Sequence, residues 1–104
     1  MSAIPTKARQ VVRERQGGAC IRCGVPYSEV HHRQRRRDGG HTYENLIGLC
    51  GADHRFVHAN PVKAKEQGYI VAPGVTAVAD VPIKTFAGWV VLGEDGSITP
   101  VPPP

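Results

Sequence analysis

Histidines in this 104-residue chain stand at spacings that suit a metal site. His54 and His58 are four residues apart, so a helix would present both imidazoles on one face, where they could hold a single ion. Two adjacent histidines, His31 and His32, occur earlier in the chain. Four of the five histidines are therefore candidates for one site, and the fifth, His41, is interpreted as a loop residue.

The cysteines indicate a second metal site. Cys20 and Cys23 have the C-x-x-C spacing of a zinc knuckle, in which a tight turn lets two thiolates reach one tetrahedral ion. Cys50 is the third cysteine, and an odd number of cysteines without an apolar leader does not indicate a secreted disulfide framework. Reduced thiols in the cytoplasm are the expected state.

Arginines follow the histidine pair directly in the stretch V-H-H-R-Q-R-R-R. A positive neighbour disfavours the charged form of an imidazole, so this arrangement makes protonation of the histidines harder. A bound metal ion or phosphate accounts for the arrangement better than a purely structural role does.

Charge is unevenly distributed along the chain, which has a formal net charge of +4. Residues 1–72 carry twelve Lys and Arg against six Asp and Glu, whereas residues 73–104 carry one against three. The basic part is the footprint expected for a polyanion such as nucleic acid, and a solvated basic face is the alternative. No apolar run approaches the roughly 20 residues of a membrane-spanning helix, so no membrane segment is expected.

Local signals predict a small α+β protein that positions these side chains. Helices are predicted over residues 6–16, 52–59 and 61–67, and strands over 28–34, 45–50, 89–92 and 97–101. The sequence D-G-G at residues 38–40 predicts a turn after the first strand, and G-E-D-G joins the last two strands as a hairpin. The expected organisation is a functional domain over residues 1–72 and a C-terminal β-hairpin extension with a Pro-rich tail over residues 73–104.

Taken together, the motifs C20-x-x-C23, E29-V-H-H32, N45-L-I-G-L-C50 and D53-H54-x-x-x-H58 resemble the HNH endonuclease family over about residues 12–69. That resemblance implies a ββα-metal motif, in which a two-stranded hairpin and a following helix grip one divalent ion. The phrases that follow His58 are similar to those of small free-standing HNH proteins of bacteriophages and their bacterial hosts.

The resemblance also implies roles for individual residues. His32 is the general base and Asn45 holds the hairpin loop that aims it. The implied catalytic set is His32, Asn45 and His54, and the implied ligands of the catalytic ion (Mg²⁺, Mn²⁺, Ni²⁺ or Zn²⁺) are His31, His54 and His58. That ion stabilises charge on the leaving 3′ oxygen, which gives 5′-phosphate and 3′-hydroxyl ends. Backbone phosphates are the expected partners of the arginines of the first helix and of Arg33, Arg35, Arg36 and Arg37.

Asp53 departs from the family pattern, because many relatives have a cysteine directly before this histidine. A structural zinc held by Cys20, Cys23, Cys50 and Asp53 is possible, since carboxylate oxygen does bind zinc. Two alternatives stay open: His58 completes the cysteine site, or no second metal binds and the cysteines are small buried thiols.

The resulting interpretation is a metal-dependent HNH-type endonuclease, cytoplasmic, that binds DNA mainly through phosphates and nicks or cuts it. One rival is a zinc-stabilised nucleic-acid-binding module without turnover. Another is a phage DNA-packaging accessory nuclease that acts with a terminase.

Overall fold

Residues 3–104 are described by a computed structural model; the first two residues of the predicted 1–72 domain lie outside this range. The helices are α1 (Thr6–Gln16), α2 (Arg36–Gly39), α3 (Gly51–Ala59) and α4 (Pro61–Glu66), with 3-10 turns at Tyr43–Asn45 and Val78–Asp80. The strands are β1 (Glu29–His32), β2 (Leu46–Leu49), β3 (Ile83–Thr85), β4 (Gly88–Leu92) and β5 (Ile98–Pro100). They form two small antiparallel sheets, which confirms the α+β class.

A hairpin and the helix after it form the ββα unit that the sequence predicts. β1 and β2 pair antiparallel, with His31 opposite Ile47, and α3 follows β2 after a single residue and packs on both strands. That residue, Cys50, is the N-cap of α3: its sulfur accepts a hydrogen bond from the backbone N–H of Asp53 at 3.4 Å. The cap satisfies one of the free N–H groups of the first turn, which lets the helix begin directly at the strand end.

The hairpin connection differs from the sequence prediction. The first strand ends at His32 instead of residue 34, and the D-G-G stretch lies in the one-turn helix α2 and the residue after it rather than forming an open turn. Gly40 ends this turn with φ of 64°, a conformation that glycine adopts without steric cost. The connection between β1 and β2 is therefore partly helical.

One hydrophobic core joins the N-terminal helix, the hairpin and α3. Its fully buried side chains include Val12, Leu46, Ile47, Leu49 and Val57. Gly48 interrupts this apolar run, because a Cβ there would lie 2.7 Å from ring atoms of Tyr27. At the same place the side chain of Gln16 closes the open edge of β2, accepting from Gly48 N–H at 2.9 Å and donating to Gly48 C=O at 3.0 Å.

The C-terminal residues add a three-stranded sheet in the order β3-β4-β5. The predicted hairpin is present as β4 and β5, with Val91 opposite Thr99, whereas β3 has no counterpart in the sequence prediction. Ile83 and Leu92 are fully buried in the same core cluster as the hairpin residues. Residues beyond 72 therefore contribute to the core that positions the ββα unit. Within residues 3–104, no helix has the length and apolar character needed to cross a membrane.

Candidate active site

Three imidazoles converge where α3 crosses β1. His31 comes from β1, and His54 and His58 come from one face of α3. The ring centroid of His31 lies 5.2 Å from that of His54 and 5.7 Å from that of His58, and the two helix rings are 4.8 Å apart. Each ring offers one nitrogen within 4.8 Å of the others. The tertiary fold thus brings together the three histidines that the sequence assigned to the catalytic ion.

The outward-facing nitrogens of two of these rings are already engaged. Nε2 of His31 lies 2.9 Å from the backbone carbonyl of Tyr69. A carbonyl only accepts, so Nε2 carries the proton and Nδ1 keeps its lone pair. Burial lowers the pKa of His31 to about 4, although the Tyr69 carbonyl opposes this shift, so the ring is neutral at pH 7. A neutral imidazole is the form that binds metal.

Glu29 contributes to this cluster, although the sequence analysis assigned it no role. Its carboxylate contacts Nδ1 of His54, which leaves Nε2 of His54 available as a ligand. Carboxylates commonly hold metal-binding histidines in this way, fixing the tautomer and raising ligand basicity. The signal was present in the sequence, because residues two apart on a strand share a face and Glu29 precedes His31 by two. With these partners, the three-imidazole donor set fits a divalent ion of the transition series.

Replacing Glu29 with glutamine should weaken metal binding at the histidine cluster by about 10- to 100-fold, the usual effect of removing such a partner. The amide keeps the size of the side chain and removes its charge. Metal titration by calorimetry, with His41→Gln as a variant that changes a histidine outside the cluster, checks this expectation. Equal affinity for wild type and Glu29→Gln would show that the carboxylate does not support His54.

His32 lies beside the metal cluster but does not join it. Its side chain is partly buried, and its Nε2 lies 3.0 Å from Nδ1 of His41. Burial, followed by the positive charge of Arg36 and the nearby His41, lowers the pKa of His32. The structure thus identifies Arg36 as the basic neighbour that disfavours protonation. His41 lies in the loop after α2 and outside the metal cluster, as predicted, but its ring contacts the candidate base, a contact that the sequence did not predict.

Asn45 is fully buried and ties the two ends of the hairpin connection together. Its Oδ1 accepts from the backbone N–H of Gln34 at 2.7 Å, and its Nδ2 donates to the carbonyls of Gln34 at 2.9 Å and Gly40 at 3.0 Å. Its own carbonyl accepts from Arg33 N–H at 2.8 Å. These contacts hold the loop that follows His32, in the manner that the family resemblance implies for this residue.

The prediction that Arg33 binds nucleic acid is wrong. Its side chain is only 2% exposed, and its guanidinium donates to the carbonyls of Gly68 at 2.9 Å, Glu44 at 3.0 Å and Val81 at 2.8 Å. Burial lowers its pKa to about 9. These backbone acceptors come from three separate segments, so Arg33 joins parts of the fold instead of facing solvent.

Arg15 of α1 is also turned inward, contrary to the expectation for the arginines of the first helix. It donates to the carbonyls of Tyr43, at 2.7 Å, and Leu46. The arginines that remain exposed on the loop are Arg35, Arg36 and Arg37. This loop therefore exposes three arginines next to the candidate base, one of which, Arg35, lies 3.7 Å from the carboxylate of Asp38.

The second cluster consists of Cys20, Cys23, Cys50 and Asp53, whose ligand atoms lie within 4.8 Å of one another. The Sγ atoms of Cys23 and Cys50 are 3.7 Å apart, and Sγ of Cys20 lies 3.2 Å from Oδ2 of Asp53. The other carboxylate oxygen, Oδ1, accepts from Arg22 at 2.7 Å. Of the alternatives left open by the sequence, the geometry places Asp53 with the cysteines and His58 with the other histidines.

Thiols of this cluster donate hydrogen bonds to the Asp53 carboxylate, which raises the pKa of Cys23 to about 12, and burial raises the pKa of Cys20, so these cysteines must lose protons to bind zinc. Burial raises the pKa of Asp53, but hydrogen bonds from Cys23, Cys20 and Arg22 outweigh that effect and hold the pKa below its ordinary value. The carboxylate is therefore ionised, as a zinc ligand must be. Three sulfurs and one carboxylate oxygen make a four-ligand set that fits tetrahedral zinc.

Comparison with known proteins agrees with this geometry. Residues 20–60 match the family model described as HNH endonuclease, a span that begins at Cys20 and extends just past His58. Neither the curated proteins nor the solved structures yielded a match. The match suggests a nuclease or nucleic-acid-related function, and the two side-chain clusters could bind the divalent metal that HNH nucleases use. The chain therefore carries an HNH endonuclease match at residues 20–60, which confirms the family resemblance found in its sequence.

Proposed function

We propose that this protein is a metal-dependent endonuclease that hydrolyses DNA phosphodiester bonds. One observation carries the proposal: three imidazoles from β1 and α3 converge on one point, and the residue of β1 that follows His31 is a fourth imidazole, His32, which is outside that cluster. Such an arrangement separates the group that binds a metal from the group that accepts a proton. A module that only binds nucleic acid has no use for the second group.

His31, His54 and His58 would hold the ion, through the nitrogens that Tyr69 and Glu29 leave available on the first two. When bound, a divalent ion supplies Lewis acidity that stabilises negative charge on the leaving oxygen. Three protein ligands leave coordination positions open, as catalytic metal sites require.

His32 is proposed as the general base that takes the proton from the attacking water. A base must be unprotonated at the working pH, and the lowered pKa of His32 favours that form. Asn45 supports the base indirectly, because it holds the backbone of the loop that begins directly after His32. Its contribution is to keep the imidazole aimed while the loop contacts substrate.

Arg35, Arg36 and Arg37 are proposed to bind backbone phosphates. They are exposed on one short loop that leads away from His32, so DNA held by this loop would lie close to the base. Contacts of this kind position the duplex without reading its sequence. The predicted outcome is sequence-tolerant, salt-sensitive binding.

Replacing Arg35, Arg36 and Arg37 together with glutamine should reduce the dependence of DNA affinity on salt. Each lost phosphate contact changes the slope of log affinity against log salt by about 0.9 for duplex DNA, so the total change is up to about 3. Fluorescence anisotropy with a labelled duplex at several salt concentrations measures the slope. The matched control replaces Lys63 and Lys65 of α4 with glutamine, and an unchanged slope for the arginine variant would rule the loop out as a DNA contact.

The test of the proposed function is cleavage of supercoiled plasmid by purified protein. The protein is incubated with EDTA, or with Mg²⁺, Mn²⁺, Ni²⁺ or Zn²⁺ after removal of bound metal. Nicked or linear DNA with 5′-phosphate ends, formed only with added metal, supports the proposal. Salt-sensitive DNA binding without cleavage under any of these metals would instead support the non-catalytic binding module.

A further inference from the structure

A second histidine contacts the candidate base from the loop after α2. Nδ1 of His41 lies 3.0 Å from Nε2 of His32, and the two ring centroids are 5.2 Å apart with an interplanar angle of 52°. His41 follows Gly40, whose carbonyl is held by the buried Asn45. Its backbone position is therefore fixed by the same residue that secures the loop, although His41 is outside the three-histidine metal cluster.

A hydrogen bond between two neutral imidazoles has only two arrangements, because each ring carries one N–H. In the first, His41 donates from Nδ1, so the lone pair on Nε2 of His32 is occupied and its proton sits on Nδ1. His32 then has no free lone pair and cannot act as a base. In the second, His32 donates from Nε2 to Nδ1 of His41. Only this arrangement leaves the lone pair on Nδ1 of His32 free to accept a proton.

We propose that His41 is a positioning residue for the general base, accepting a hydrogen bond through Nδ1 from the Nε2–H of His32. The inference rests on the proposed function and names the proton-accepting nitrogen of that site. The attacking water gives its proton to Nδ1 of His32 as its oxygen bonds to phosphorus and the bond to the leaving oxygen breaks. His41 thereby fills the place of the third group that orients the base in many hydrolytic sites.

The bond fixes two properties of His32 at once. It selects the Nε2–H tautomer, and it limits rotation of a ring that is only partly buried and would otherwise turn about its side-chain bonds. A wrong tautomer of a catalytic histidine costs much of the rate even when the geometry is intact, as serine proteases demonstrate. The loss expected from His41 is smaller, because a neutral ring is a weaker acceptor than a carboxylate.

Kinetics of three variants test this role. His41→Ala removes the acceptor and should lower kcat for plasmid nicking by about 10- to 100-fold with little change in KM. His41→Asn offers a side-chain carbonyl as a replacement acceptor and should recover part of the loss. Thr42→Ala, which removes only a hydroxyl that bonds the Gly39 carbonyl at 3.3 Å, is the matched control and should cleave like wild type.

Nitrogen NMR of ¹⁵N-histidine-labelled protein supplies a readout that does not depend on activity. The Nε2–H tautomer of His32 is expected in wild type and in Thr42→Ala, and its excess over the other tautomer should shrink in His41→Ala. A wild-type His32 protonated on Nδ1 would overturn the inference, and so would wild-type kcat in His41→Ala. If the wild type cleaves no DNA with any metal, the proposed nuclease function fails, while the tautomer still decides whether His41 holds the ring as inferred.

Discussion

Replacing His32 with alanine should lower the rate of DNA cleavage by about 10²- to 10⁴-fold, the usual effect of removing a general base. The loss should fall on kcat, because His32 is outside the metal cluster and the loop arginines that we propose to bind phosphates are unchanged. Metal content and melting temperature should stay close to wild type, since the side chain is only partly buried. Single-turnover cleavage of a labelled duplex at saturating protein measures the effect.

Two comparisons make the His32→Ala result decisive. His58→Ala removes a ring of the metal cluster, so it should lose cleavage together with affinity for the ion, whereas His32→Ala should lose cleavage alone. If DNA cleavage disappears in a variant that is purified in the same way as the wild type, the cleavage is not due to a contaminating nuclease. Cleavage by His32→Ala within a few-fold of wild type, at equal metal loading, would remove His32 from the mechanism.

We propose that Cys20, Cys23, Cys50 and Asp53 hold a structural zinc, so replacing Asp53 with alanine should release metal and lower the melting temperature by tens of degrees or unfold the protein. The magnitude is large because metal binding in such sites is part of the folding free energy, about 10 to 16 kcal/mol in zinc-finger peptides. In contrast, Asp53→Cys should retain zinc or hold it more tightly, because thiolate is the commoner partner in structural sites. Elemental analysis and thermal unfolding report both effects.

The pair of Asp53 variants controls for the ion pair that Asp53 makes with Arg22. Both substitutions break this 2.7 Å contact, so a difference between them is due to metal ligation. His58→Ala completes the set: it should keep the zinc and the melting temperature, because His58 lies with His31 and His54. Zinc loss in His58→Ala would assign that histidine to the cysteine site, and a fully folded wild type purified without zinc would reject the structural site.

The sequence by itself determined the features that depend on local signals. Pro5 and the glycine pair at residues 17–18 delimit α1, which the structure places at Thr6–Gln16 as predicted. The four-residue spacing of His54 and His58 puts both on one face wherever α3 packs, because helical geometry alone sets that relation. The C-x-x-C turn likewise brings two thiols together through its own backbone. For these elements the local sequence pattern is sufficient to predict the geometry.

Only the tertiary structure decided which residues meet across the chain. The sequence left Asp53, His58 or no second metal open for the cysteine site, and the packing of α3 placed Asp53 beside Cys20 and His58 beside His31. The contact between His32 and His41 depended in the same way on the conformation of the loop between the strands.

Arg33 shows most clearly why such contacts cannot be predicted from the local sequence. By sequence it belongs to an exposed basic run, but the carbonyls that satisfy its guanidinium come from residues 44, 68 and 81. An arginine can be buried only where enough acceptors surround it, and those acceptors are assembled by segments distant along the chain. Burial of a charged side chain is therefore a property of the whole fold, which no local pattern of residues encodes.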